Sequence, residues 1–101
     1  MSATIQRGSD ALEVTGVVNF ATVIALRAEG ERHISAAKTA KQVIFDLAQI
    51  QCTDSSVLPL LTAWLRVGKQ QGVVVLFRQM PVVLERITKV CGMLPFIKHD
   101  G

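Results

Sequence analysis

The sequence is poor in the residues on which several kinds of chemistry depend. Its 101 residues include no Tyr, one Trp and two Cys, and the net charge of +3 is mild. Without clustered Lys and Arg or aromatic stacking residues, nothing predicts a nucleic-acid partner. Cys52 and Cys91 are far apart and fit no zinc-type or redox spacing. We therefore expect no nucleic acid, no metal, no cofactor and no disulfide.

Long apolar runs and low-complexity stretches are missing as well. No run approaches the ~18–20 residues that a bilayer demands, and the N-terminus has no signal-peptide character. Half of the residues are apolar and 19% are charged, which is typical of a folded chain. The length suits one domain, so we expect a single domain over residues 1–101. Because the sequence shows neither a membrane span nor a signal peptide, we expect the protein in the cytoplasm.

Convergent catalytic residues are also lacking. The two histidines, His33 and His99, have no motif around them, and there is no P-loop or Gly-rich dinucleotide turn. Asp46 and Asp54 could form a carboxylate pair, but capping and loop-bonding roles are commoner for such residues. The sequence predicts a binding or switch module that is not an enzyme.

The N-terminal part predicts a hairpin followed by a helix. Thr4–Arg7 and the alternating Ala11–Gly16 flank turn residues. Asn19 then caps a helix that runs from about Phe20 into the low thirties. The residues assigned to its apolar side are Phe20, Val23, Ile24 and Ile34.

The middle of the chain predicts a strand, a helix and a parallel strand. Gln42–Leu47 is the central strand, and a helix follows over about Ser55–Gln71, with Pro59 in its first turn and Gly72 closing it. Val73–Phe77 is the next strand, so the connection is a crossover. A last helix from Pro81 to Gly92 and then either a short edge strand or a docked tail over residues 94–97 complete the prediction.

Two features of the second helix have alternative interpretations. Its apolar residues cover about half of the circumference, which indicates either deep burial or a partner contact around Leu60 and Trp64. At its start, Asp54, Ser55 and Ser56 are either ordinary caps or present a hydroxyl where a phosphoryl group would be favoured.

The order of these motifs resembles the STAS domain family. The matching pieces are V-I-F-D-L from Val43, D-S-S-x-L from Asp54, Q-G before a V-V-V-L-F strand, and a final helix closed by Gly before L-P. The resemblance implies an α/β sandwich with a central mixed sheet of four or five strands and about three helices, an N-terminal hairpin preceding βαβα.

Two branches of that family imply different partners. The chain looks most like the small STAS subunit of the bacterial Mla phospholipid-trafficking ABC transporter, through its length, the D-S-x-x-L-x-L-L run and Leu94-Pro95. That resemblance implies a non-catalytic subunit that binds and regulates the cytoplasmic ATPase through Ser55 and its neighbours, peripheral to the inner membrane. Leu60 and Trp64 would extend that contact.

The alternative is an anti-anti-sigma factor. In that branch the hydroxyl residue after the Asp, here Ser55, is phosphorylated by an anti-sigma serine kinase, which switches binding. Those proteins usually have glycine where this chain has Val57. A third alternative is an orphan STAS module that binds a small ligand or nucleotide, for which the sequence offers no pocket residues.

Overall fold

A computed structural model describes residues 3–52, 55–82 and 86, apart from the side chain of residue 52. Within these ranges, four strands and two complete helices follow one another in the order ββαβαβ. The hairpin and the strand–helix–strand unit are therefore as predicted. Their bounds are β1 Ala3–Arg7, β2 Leu12–Val18, α1 Val23–Ala36, β3 Gln42–Cys52, α2 Val57–Gln71 and β4 Val74–Arg78.

The strands form one mixed sheet in the order β1-β2-β3-β4. β1 and β2 are antiparallel, closed by a turn in which the N–H of Gly8 donates to the carbonyl of Ala11 at 2.8 Å. β2 pairs with β3 and β3 pairs with β4 in parallel, so each of these pairs requires a crossover helix. The α/β fold with a mixed central sheet is confirmed.

β3 is longer than predicted. It continues past Leu47 to Cys52, and its last four residues pair with Thr15–Val18 after a register shift in which β3 has one extra residue opposite Glu13–Thr15. Gln49 and Gln51 are exposed while Ile50 between them is buried. That alternation is typical of a half-buried strand, so the prediction that the central strand ends at Leu47 is wrong.

The two helices cover the sheet from one side. α1 contacts β1 and β3, α2 contacts β4, and the helices contact each other. The core between these layers contains large apolar side chains from every element of the sheet and from both helices. The largest fully buried ones are Trp64, Phe45, Phe77, Leu26, Ile34, Leu47 and Leu61.

The predicted apolar side of α1 is partly wrong. Asn19 caps the turn as expected, since its Oδ1 accepts hydrogen bonds from the N–H groups of Ala21 and Thr22 at 2.8 and 3.2 Å. The helix proper begins only at Val23, however, and buries a row spaced by four residues. That row is Leu26, Gly30 and Ile34, whereas Phe20 and Ile24 are exposed.

The C-terminal predictions fall largely outside the described residues. Val82 and Arg86 are helical, in agreement with a helix that begins near Pro81. The rest of that helix up to Gly92 and the edge strand over residues 94–97 lie outside the described part. No helix within the described ranges is long and apolar enough to cross a bilayer.

Candidate functional site

The parallel arrangement of β2 and β3 places two connections at the same edge of the sheet. Val18, the last residue of β2, pairs with Cys52, the last residue of β3. The described residues beyond these strand ends, 19–22 and 55–56, therefore belong to the same edge of the sheet. Ligand and partner sites in open α/β sheets commonly form beyond the carboxyl ends of strands. We refer to this region as the β3–α2 edge.

Ser55 and Ser56 lie at the β3–α2 edge in the turn that starts α2. Ser55 is exposed, and its carbonyl accepts a hydrogen bond from the N–H of Leu58 at 3.1 Å. Ser56 is half-buried at the N-cap position, where its hydroxyl forms no capping hydrogen bond. Asp54 lies outside the described residues. The exposed Ser55 thus directly precedes the N-cap residue of α2, and its backbone is tied to the helix start by the hydrogen bond from Leu58.

Packing explains why this chain has Val57 where anti-anti-sigma factors usually have glycine. Val57 is the first residue of α2 and is completely buried. Its side chain is part of the same cluster as Phe45 and Leu61. A glycine at this position would supply backbone freedom but no core contact. In this chain the start of α2 is instead fixed by a buried side chain directly after the two serines.

Leu60 and Trp64, proposed above as an interface margin, are core residues. Leu60 is 2% exposed and Trp64 is 0% exposed. The Trp64 indole stacks on the Phe45 ring with centroids 4.2 Å apart and an interplanar angle of 8°. Its Nε1–H donates to the carbonyl of Arg27 at 3.2 Å. The interface interpretation of these two residues is wrong, because neither side chain reaches the surface, and the deep-burial alternative is confirmed.

Gly30 explains how a Trp fits between the two helices. A Cβ built at this glycine would overlap the Trp64 indole, including Nε1. The sequence predicted only that Gly30 weakens α1. Its absence of a side chain instead lets the indole reach the α1 backbone and satisfy its N–H there.

Sequence reasoning missed an apolar surface beside the serines. Phe20 and Ile24, at the start of α1, are 83% and 78% exposed. Since α1 begins at the same edge of the sheet as α2, these side chains lie near the β3–α2 edge. The signal was present in the sequence, because four-residue spacing from Leu26 predicts Gly30 and Ile34 as the buried row and leaves Ile24 off it.

A cavity of about 460 Å³ lies at the opposite edge of the sheet. Arg7, Asp10, His33 and the start of β3 contribute to its lining. The Asp10 carboxylate accepts a hydrogen bond from Arg78 at 3.0 Å, and that bond, with the Arg78 charge, lowers the pKa of Asp10. No group of three or more potential metal ligands occurs among the described residues.

Comparisons with known proteins agree on the fold. Residues 1–95 match the family model described as "Mlab, STAS domain", and no curated protein matches. The anti-sigma factor antagonist SpoIIAA in its unphosphorylated form is 14% identical with a TM-score of 0.67, over 98% of this chain and 88% of that one.

Two further solved structures are similar. The Bacillus cell fate determinant SpoIIAA in the phosphorylated form has a TM-score of 0.64 at 14% identity, covering 98% of this chain and 91% of that one. An anti-sigma factor antagonist from Mycobacterium paratuberculosis has a TM-score of 0.58 at 18% identity, covering 96% and 82%. At these identities the likeness concerns the fold alone.

Proposed function

The chain belongs to the STAS domain family, and from that premise we propose that it is a non-catalytic regulatory protein that binds a partner protein at the β3–α2 edge. The observation that supports this most directly is the exposure of Ser55 on a helix start that Val57 anchors in the core. A fixed, solvent-facing hydroxyl suits recognition, because little conformational entropy is lost when it is contacted.

An anti-sigma serine kinase is one candidate partner. It is favoured by the similar folds of anti-sigma factor antagonists, one of them solved in phosphorylated and unphosphorylated forms. Phosphorylation of Ser55 would add roughly −1.5 to −2 charges at the edge. In a desolvated contact that charge would oppose binding, so Ser55 would act as the switch.

The ATPase of a phospholipid-trafficking ABC transporter is the second candidate. It is favoured by the description of the family model that matches residues 1–95. Val57 is also compatible with a constitutive contact, since a buried first residue of α2 keeps the serines in one geometry. Under this proposal the protein would lie in the cytoplasm, peripheral to the inner membrane, and Ser55 would be unmodified.

The test begins with recovery of the partner. Tagged full-length protein is purified from cytoplasmic and membrane fractions, and mass spectrometry identifies both the partner and the state of Ser55. An ABC ATPase with unmodified Ser55 would establish the transporter subunit. A serine kinase, with phosphate on Ser55, would establish the sigma-factor switch.

Affinity for the purified partner then tests the β3–α2 edge itself. We expect Ser55→Glu to weaken binding by about 2–4 kcal/mol, because it places an unpaired charge in the contact. Ser35→Glu, at an exposed serine near the far end of α1, is the matched control and should leave binding unchanged. Equal affinities for both variants and the parent protein would exclude the edge as the binding site.

A further inference from the structure

Ile24, an exposed apolar residue in the first turn of α1, lies on the flank of that helix that faces α2. Glu29 marks the opposite flank, since its carboxylate accepts from the N–H of Ile5 in β1 at 3.4 Å. Arg27 marks the α2 flank, since its carbonyl accepts from Trp64. At about 100° per residue, Ile24 is about 60° from Arg27 and about 140° from Glu29. Phe20 precedes Ile24 by four residues, in the turn that leads into the helix.

The outward row of α2 continues this surface with basic character. Pro59 and Arg66 are exposed and are seven residues apart, which aligns them along the helix. Lys69 is also exposed but lies on the other flank of α2, beside Val74 and Val75 of β4, so it is not part of this row. α2 contains no Asp or Glu, and within the described part of the chain Arg66 forms no ion pair. On α1 the nearest basic side chain, Arg27, is neutralised by Glu31 at 2.8 Å.

These two rows bound one surface, because α1 and α2 pack against each other and start at the same edge of the sheet. We call it the α1–α2 face and define it by Phe20, Ile24, Ser55, Pro59 and Arg66. It is apolar at the α1 start, carries the serine hydroxyl at the α2 start, and is basic along α2. An exposed apolar patch rimmed by charge is typical of a protein contact surface.

We propose that the α1–α2 face binds an acidic surface of the partner protein, with a partner apolar side chain against Phe20 and Ile24 and a partner carboxylate facing Arg66. This inference rests on the proposed function and specifies the chemistry of the partner. Charge complementarity is the argument for it, since an α2 surface with basic and no acidic side chains attracts carboxylates and repels a second basic surface. It also explains why a negative charge at Ser55 would disrupt binding.

The experiment measures the affinity of the purified kinase or ATPase, whichever is recovered, for full-length variants at two salt concentrations. We expect Phe20→Ser and Arg66→Glu each to weaken binding about tenfold or more. The affinity of the parent protein should fall as salt rises, and Arg66→Glu should flatten that dependence. Matched controls lie at the other edge of the sheet. Val74→Ser removes an exposed apolar side chain there, and Lys38→Glu reverses an exposed charge.

The outcomes separate this inference from the proposed function. If Ser55→Glu weakens binding but Phe20→Ser and Arg66→Glu match their controls, the edge binds the partner and the α1–α2 face does not. If Ser55→Glu has no effect, the proposed function fails at its own test. Because Phe20 is largely exposed, Phe20→Ser should keep the melting temperature of the parent protein, so a loss of affinity reports on contact.

Two further measurements identify a different occupant. Sedimentation that shows a dimer, lost in Phe20→Ser, would assign the apolar part of the face to a second copy of the chain and overturn the proposal. Binding to vesicles that contain phosphatidylserine, or to a DNA duplex, would assign the basic row to a polyanion if Arg66→Glu abolishes that binding. This result would also overturn the proposal. If the protein is a monomer and binds neither the vesicles nor the DNA duplex, the result supports an acidic surface of a partner protein as the occupant.

Discussion

The two helices of the described fold have nearly equal lengths, 14 and 15 residues, but opposite roles. α2 buries six residues, among them Val57, Leu61 and Trp64, whereas α1 buries three, one of which is Gly30. Two large apolar side chains, Phe20 just before α1 and Ile24 in its first turn, are exposed, while α2 starts with the buried Val57. The comparison indicates that α2 supplies most of the helical contribution to the core and that α1 supplies surface.

Removal of the Trp64 side chain has the largest expected effect on stability and tests the role of α2 in the core. Trp64→Ala should lower the free energy of unfolding by about 3–5 kcal/mol, since it leaves a cavity against Phe45 and Gly30. Urea denaturation followed by far-UV circular dichroism measures the change, because the variant has no Trp fluorescence. A loss below about 1 kcal/mol would mean that the core does not depend on α2 in this way.

The contact between the helices is tested by adding a methyl group to α1. Gly30→Ala should destabilise the fold by about 1–3 kcal/mol, because the overlap with the indole outweighs the better helix propensity of Ala. Trp fluorescence should shift as the indole moves.

Ala25→Gly is the matched control on the same helix. Ala25 is exposed, so this variant should lose only the propensity difference of about 1 kcal/mol and keep the parent emission spectrum. A Gly30→Ala protein that is more stable than the parent, with an unchanged spectrum, would show that the indole does not pack against α1 as described.

The helix ends differ as well, and this difference predicts a smaller effect. α2 ends at Gly72 with φ +72°, whereas α1 ends at Ala37 with φ −92°. Nothing lies within 4 Å of a Cβ at Gly72, so Gly72→Ala adds only backbone strain, about 1 kcal/mol. Gly72→Asn should cost less, because Asn tolerates the left-handed region. Thermal unfolding ranks the variants, and equal stability of all three proteins would contradict the strain argument.

The smallest effect is expected at the exposed start of α1. Ile24→Ser should change the free energy of unfolding by no more than about 0.5 kcal/mol, because its side chain is 78% exposed. Leu26→Ala, two residues later at a buried position, should cost about 2–5 kcal/mol. Chemical denaturation of both variants compares the two sides of α1 directly, and a large loss for Ile24→Ser would assign it to the core.

Much of the fold was predictable because local patterns and tertiary packing agree. The hairpin, the crossover unit and the closing role of Gly72 each follow from a short sequence signal, and the structure confirms them. The end of β3 was not predictable in the same way. Gln49 and Gln51 suggest a connector, and only pairing with Thr15–Val18 makes the segment a strand.

The candidate site was predictable only in part. Motif resemblance pointed to Ser55, and the structure places it, exposed, at the start of α2. The burial of Trp64 depends on the absence of a side chain at Gly30, more than thirty residues away. The helical periodicity within α2 contains no information about that distant residue. The assignment of Phe20 failed because Phe20 precedes α1, and that of Ile24 failed because Ile24 lies off the buried row of Leu26, Gly30 and Ile34.

The strand order β1-β2-β3-β4 has a consequence for synthesis on the ribosome. Each new strand pairs with the one made just before it, so the described sheet can extend in the order in which the chain emerges. The Gly30 part of the α1 row has to wait longer than the parts that contact β1 and β3, since Trp64 follows Gly30 by more than thirty residues. At the 5–20 residues per second of translation, Gly30 stays without its Trp64 contact for about two to seven seconds, a window in which a chaperone can bind there.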